Sequence, residues 1–176
     1  MPTDTTPDAR DAPDPPDTPA LRHAAALGLD HRVIRTEPAS SAEESAAWQG
    51  IPVAALLRTI VVRRGADEFV FVLVPAGRRF DWPKLRAHLG VTRLSLPDAD
   101  EAHAVTGYPR YAITPFGSTR PWPVIADASM LEQPLVSIGG GIRGVNIHAA
   151  PGDLVRALEA TAVDVSIAEP PDGPPS

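Results

Sequence analysis

Apolar and polar positions change rhythm repeatedly along this chain, and each change marks an element. Residues 20–28, ALRHAAALG, carry the spacing of a helix that Gly28 stops. HRVIRT is a short strand candidate. In SSAEESAAWQG, Ser41 precedes Glu44 by three residues, a capping-box spacing, and Gly50 ends that helix. Residues 53–57 add a short helical turn. RTIVVRR and EFVFVLVP read as two strands joined by the turn signal GADE, hence a hairpin. Asp81 caps a helix with Pro83 in its first turn and Gly90 at its end. VTRLSL reads as a strand, and Asp98 with Glu101 opens a helix that Gly107 closes. YAIT, PVIAD, LVSI and GVNIHA are strand-like. Asp153 starts a last helix, DLVRALEAT, and AVDVSI is a final strand. Strands and helices mix without strict βαβ alternation, and the hairpins require antiparallel pairs. The expected fold is α+β, a mixed, curved sheet with helices packed around it.

The two ends break this pattern. MPTDTTPDARDAPDPPDTPA holds Pro, Asp and Thr and almost nothing to bury, and EPPDGPPS is similar. Residues 1–20 and 169–176 are expected to be disordered tails, with one folded domain over 21–168. The tails also carry the charge. The net charge is −6, but residues 1–20 contribute −4 and residues 164–176 contribute −3, leaving the body at +1. A near-neutral body neither requires nor forbids a nucleic-acid contact, which depends on local patches. At 176 residues and 43% hydrophobic, the chain suffices for one ordinary core. It has no cysteine, so disulfides, thiolate metal sites and a cysteine nucleophile are excluded. No apolar run is long enough for a membrane span, and no secretory signal opens the chain. A cytoplasmic location follows as the default, with no membrane role.

Most catalytic motifs are missing. The five histidines show no metal-ligand spacing, and neither a G-x-S-x-G elbow nor a P-loop occurs. GGGIRG, residues 139–144, matches G-x-G-x-x-G literally. A dinucleotide fingerprint needs a helix after it, whereas GVNIHA alternates like a strand. A glycine-rich hairpin turn is the better reading, although such a turn also lets a ligand approach main-chain N–H groups. TGYPRYAITPFGSTR, residues 106–120, fits either an ordinary loop with core aromatics or a shaped pocket rim.

One charge stands out. VAALLRTIVVR places Arg58 inside an apolar run, and burying a guanidinium is costly unless it is paired. In a strand from Leu57 to Arg63, Arg58 shares a face with Ile60 and Val62, while Thr59 and Val61 face the other way. Arg58 is then a strand-end residue reaching water along its stem, half of an ion pair, or a charged group in a cavity.

The order of these segments resembles the YbaK/EbsC family of aminoacyl-tRNA deacylases, relatives of the editing domain of prolyl-tRNA synthetase. The resemblance runs over about residues 21–167. It rests on SAEESAAWQGIPVAALLRTIVVR, VLVPAGRRFDWPKLRAHLG, TGY…TPFG, PVIAD and GGGIRGVNI together. It implies a mixed sheet curled toward a barrel and hydrolysis of the ester between a wrong amino acid and the terminal ribose of tRNA. The family's K-T-[LV] motif falls on Arg58, Thr59 and Ile60, and its S-P-[FIL]-G loop on Thr114, Pro115, Phe116 and Gly117. Its G-x-R-G turn falls on Gly141, Ile142, Arg143 and Gly144. A tyrosine near the start of the family domain falls on His31. Arg58 departs from the family lysine: it keeps the charge but not the compact ammonium.

No protein nucleophile is visible in the sequence, so the expected mechanism works without one, and no cofactor is expected. Main-chain N–H groups near Gly117 and Gly140–Gly141 polarise the ester carbonyl, and Arg58 holds a terminal phosphate or ribose. Water, a ribose hydroxyl or the substrate's own side chain attacks. A pocket between Phe116 and the glycine turn admits small amino acids, of the Cys or Ala class. His31, Thr59, Thr114, Pro115, Gly140, Gly141 and Arg143 complete the substrate contacts. The implied partners are the aminoacyl-tRNA 3′ end and prolyl-tRNA synthetase. Two other readings stand beside it: a catalytically weak homologue that binds a tRNA end or a synthetase, and a small-molecule binding domain.

Overall fold

The computed structural model describes residues 16–169, so the expected tails over 1–15 and 170–176 lie outside the described residues. Helix α1 (Pro19–Ala26) starts within the segment expected to be a tail. Thr18 caps it by accepting the Leu21 N–H, and Pro19 occupies the first turn. Strand β1 (Arg32–Arg35) follows, then α2 (Ala42–Gln49), whose Ser41 cap accepts the Glu44 N–H at 3.0 Å as the spacing predicts. A 3₁₀ turn over Val53–Ala55 leads into β2 (Leu57–Gly65) and β3 (Glu68–Pro75). After β4 (Arg78–Phe80) come α3 (Trp82–Leu89) and α4 (Ala99–Thr106), capped by Asp81 and Asp98 as expected. The chain then forms β5 (Val124–Asp127), β6 (Val136–Gly139), β7 (Val145–Ala149), α5 (Pro151–Leu158), β8 (Thr161–Val163) and β9 (Ser166–Ala168).

The strands form three sheets, ordered β1-β7-β6, β2-β3-β5-β8 and β4-β9. The β2–β3 and β6–β7 hairpins are antiparallel, while β5 pairs in parallel with both β3 and β8. A bridge between Leu56 and Ser137 joins the first two sheets edge to edge. The class is α+β as expected, but among the described residues the sheets do not close into a barrel.

Strand β3 explains how the core is arranged. It is buried from Phe69 to Pro75 because both faces are covered, so its sequence is continuously apolar rather than alternating. Phe69, Phe71 and Leu73 point into the larger cluster, with Leu57, Val61, Ile138, Ile147 and the α1 residues Ala20 and Ala24. Val70, Val72 and Val74 point into a second cluster with Val62, Leu85 of α3, Ile125 and Val165.

Several expected strands differ. VTRLSL contributes only a bridge between Ser95 and Arg63, and YAIT is irregular. AVDVSI splits into β8 and β9. The break is held by Lys84 on the Asp164 carboxylate at 3.0 Å and by the Val165 N–H on Asp127 Oδ1 at 3.0 Å. Those side-chain bonds turn the chain from β5 to β4. Helix α5 begins at Pro151 rather than Asp153, with proline in the first turn.

Candidate active site

Two segments shape the candidate site, the loop 106–120 and the turn 139–145. The loop's ends are tied by the Thr119 N–H on Thr106 O at 3.0 Å. Inside it, the Tyr108 hydroxyl donates to Phe116 O at 2.7 Å. Burial raises the Tyr108 pKa, with the Arg22 charge opposing, so the phenol keeps the proton this bond needs. The Gly117 N–H donates to His23 Nδ1 at 2.8 Å, fastening the loop to α1. Gly117 sits at φ +68°, and a Cβ there would lie 2.4 Å from the Pro19 carbonyl carbon. Glycine is required by both backbone and space.

The turn is a hairpin corner, as the alternation after it suggests. The Gly140 N–H donates to Val145 O at 2.8 Å and the Val145 N–H to Ile142 O at 3.2 Å. Thr18 Oγ1 donates to Gly140 O at 2.6 Å, and the Thr36 N–H donates to Gly144 O at 2.8 Å. The amides of Gly141, Ile142, Arg143 and Gly144 donate to no group among the described residues. Consecutive free amides in a glycine turn form a concavity suited to an anion or a developing oxyanion.

Two surface depressions share Ile113; the loop borders both, and the turn borders the smaller. One, about 460 Å3, is lined by Thr59, Ile60, Val61, Leu96, Arg110 and Ile113, among others. The other, about 180 Å3, is lined by Ser41, Ser45, Tyr111, Ile113, Gly141, Arg143 and Asn146, among others. Thr59, Gly141 and Arg143 are thus gathered around one stretch of loop. Thr114, next along the chain from Ile113, is fully buried, and its Oγ1 has no hydrogen-bond partner. An unpaired buried hydroxyl costs stability, and Thr114 lines neither depression.

The other expected residues are placed elsewhere. Arg58 is exposed, and its Nη2 donates to Arg78 O on β4. It lies on the sheet face of Ile60 and Val62, as the alternation predicts, and lines neither depression. Phe116 is fully buried in the larger cluster with its ring edge-on to His23. Pro115 lines a separate cavity of about 410 Å3 with His23, Arg64, His88 and Trp122. His31 sits before β1 with Nδ1 2.6 Å from Leu29 O. The amides of Gly117 and Gly140 are both already bonded. Arg110 and Ile113 were not singled out from sequence; their only signal was membership of the Gly/Pro-rich loop.

Comparison with known proteins follows the same segments. The sequence profile of the aminoacyl-tRNA editing domain matches residues 36–157, which include β2, the loop and the turn. A proline–tRNA ligase of Thermosipho africanus (strain TCF52B) is 27% identical over 107 residues, covering 61% of this chain but only 19% of that ligase. The crystal structure of the hypothetical protein APE2540 superposes with a TM-score of 0.78 at 26% identity, covering 85% of this chain and all of that one. A proposed trans-editing enzyme for prolyl-tRNA synthetase has the same fold, with a TM-score of 0.78 at 24% identity over 87% of this chain and all of that one.

The profile match spans both segments that shape the candidate site, and it sets the class as that of the aminoacyl-tRNA editing domains. The chain belongs to the aminoacyl-tRNA editing domain family. Among the described residues, no helix is long and apolar enough to cross a membrane.

Proposed function

We propose that the protein hydrolyses the ester of a mischarged tRNA carrying a small amino acid, of the Cys or Ala class, acting in trans to a prolyl-tRNA synthetase in the cytoplasm. The family match over residues 36–157 carries this reading, because it spans both segments that build the site. Similarity to part of a proline–tRNA ligase supports the choice of partner.

The chemistry needs few groups. Water adds to the ester carbonyl carbon, and the carbonyl oxygen gains negative charge. The amides of Gly141 to Gly144, which donate to no group among the described residues, take that charge, since those of Gly117 and Gly140 are engaged. Collapse breaks the bond to the ribose oxygen, which takes a proton, releasing the amino acid and the intact tRNA. Ile113 and Ala112 line the smaller depression and limit the side chain that fits. Discrimination by one methylene is worth only about 1–3 kcal/mol in a single site, which is why a second, hydrolytic site is useful. Arg58, exposed and bonded to the Arg78 main-chain carbonyl, meets a phosphate of the acceptor end.

Incubation with a panel of aminoacyl-tRNAs tests the proposal. Loss of the ester from Cys- or Ala-charged tRNA is expected, with cognate Pro-tRNA spared. No turnover of any small-residue ester by folded protein would overturn it. Retained tRNA binding without turnover would favour the binding-module reading, which arginine at the family's lysine position supports.

A further inference from the structure

We propose that Tyr111 and Arg143 form a stacking platform for the terminal nucleobase of the tRNA end. This rests on the aminoacyl-tRNA reading above and adds the subsite that holds the base.

The Tyr111 side chain is 78% exposed, far more than a tyrosine kept for packing requires. The Arg143 guanidinium carbon lies 5.7 Å from the ring centroid, within cation–π range. Arg143 is itself held in place, donating from Nη2 to Ala39 O at 3.2 Å. Ile142, half exposed beside it, adds an apolar flank. Tyr111 is fixed from below by a turn in which the Ala112 N–H donates to Pro109 O at 2.9 Å. The ring therefore stands on an ordered turn, with a cation against it and the rest open to solvent.

This pairing suits a nucleobase. A flat aromatic gives a base a π-face to stack on regardless of its identity, and an arginine adds its own plane and charge. The platform borders the depression containing the free amides of the glycine turn. A base stacked on Tyr111 would set its attached ribose, and the ester on that ribose, over those amides. Arg110, exposed on the neighbouring depression, stands where the adjoining phosphate would pass.

The test uses the full-length protein and tRNA whose terminal adenine is replaced by 2-aminopurine, whose fluorescence is quenched by stacking. Binding should quench it with the native protein and with Tyr111→Phe. Tyr111→Ala should lose the quench and weaken binding about tenfold, while its thermal midpoint stays unchanged because the side chain is exposed. With charged tRNA, the loss should appear as a raised KM. Unchanged quench and affinity in Tyr111→Ala would overturn the proposal, as would absence of quench in the native protein. If no aminoacyl-tRNA is hydrolysed but the Tyr111-dependent quench persists, the platform stands and the deacylase reading falls. If hydrolysis proceeds with Tyr111→Ala indistinguishable from native in KM and quench, the reverse holds.

Discussion

His23 accepts the Gly117 N–H through Nδ1 at 2.8 Å, joining two residues 94 positions apart. Helix α1 lies outside the segment matched by the family profile, yet it clamps both halves of the site. Thr18 holds the glycine turn through Gly140 O, and His23 holds the proline loop. The relative placement of loop and turn therefore depends on a helix that neither belongs to.

Disturbing that clamp should be costly in a graded way. His23→Ala leaves the Gly117 amide without its acceptor, and a loss of about 1–2 kcal/mol is expected for a half-buried group. Gly117→Ala should cost more, about 2–4 kcal/mol, because it combines a left-handed backbone with overlap on the Pro19 main chain. Urea unfolding midpoints would order the two. Equal or inverted costs would mean that α1 yields readily, and the clamp would not be rigid.

Arg58 offers a separation of charge from fold. Its side chain is exposed and, among the described residues, bonds only to Arg78 O, so Arg58→Ala should change stability by less than about 1 kcal/mol. If it meets a phosphate, the same change should raise KM for charged tRNA and flatten the dependence of log KM on log salt by about 0.7. Arg58→Lys, retaining the charge, should recover most of both. An unchanged salt slope in Arg58→Ala would remove Arg58 from the tRNA path.

Much of this fold was legible in the sequence because its signals are local. Ser41, Asp81 and Asp98 cap the helices they were expected to cap, and the GADE turn joins β2 to β3. The strand alternation correctly put Arg58 and Thr59 on opposite faces. What sequence missed depends on distant partners. The split of AVDVSI is set by Lys84 and Asp127, which lie far along the chain. The start of α1 is set by Thr18 reaching Gly140, across 122 residues, from within a stretch whose composition reads as a tail. In the candidate site, the sequence marks the segments but not which side chains turn inward and which outward. Phe116 and Pro115 turn into the protein, while Tyr111 and Arg110, their loop neighbours, turn out. No periodicity operates in an irregular loop to announce which way a side chain points.

Thr114 separates stability from function in the opposite sense. Its hydroxyl is buried and unpaired, so Thr114→Val, which keeps the shape, should leave the protein as stable or about 1 kcal/mol more stable. If the hydroxyl meets substrate or the attacking water, kcat/KM should fall at least tenfold in the same variant. Thermal unfolding and a deacylation assay on one preparation read both. A stabilised variant with full activity would assign Thr114 to packing alone.

The last prediction concerns pH. His148 on β7 is buried, with Nε2 2.8 Å from Gln49 Oε1, which also accepts the Ser137 hydroxyl at 2.6 Å. Burial lowers its pKa, and the charge of Arg32, its cross-strand neighbour, lowers it further. Folded protein therefore resists a proton that the unfolded chain accepts near the ordinary histidine value of about 6.5. The unfolded state binds more protons in that window, so stability rises with pH there. It is complete above about pH 6.5 and declines as pH falls below it, until the folded state also protonates. Asp164, whose pKa is lowered by its hydrogen bond from Lys84, adds a similar loss only lower, in the carboxylate range. Urea unfolding between pH 7.5 and 5.5 should show a falling midpoint in the native protein and a flatter one in His148→Gln, which cannot titrate. A slope that survives the substitution would place the pH-sensitive group elsewhere.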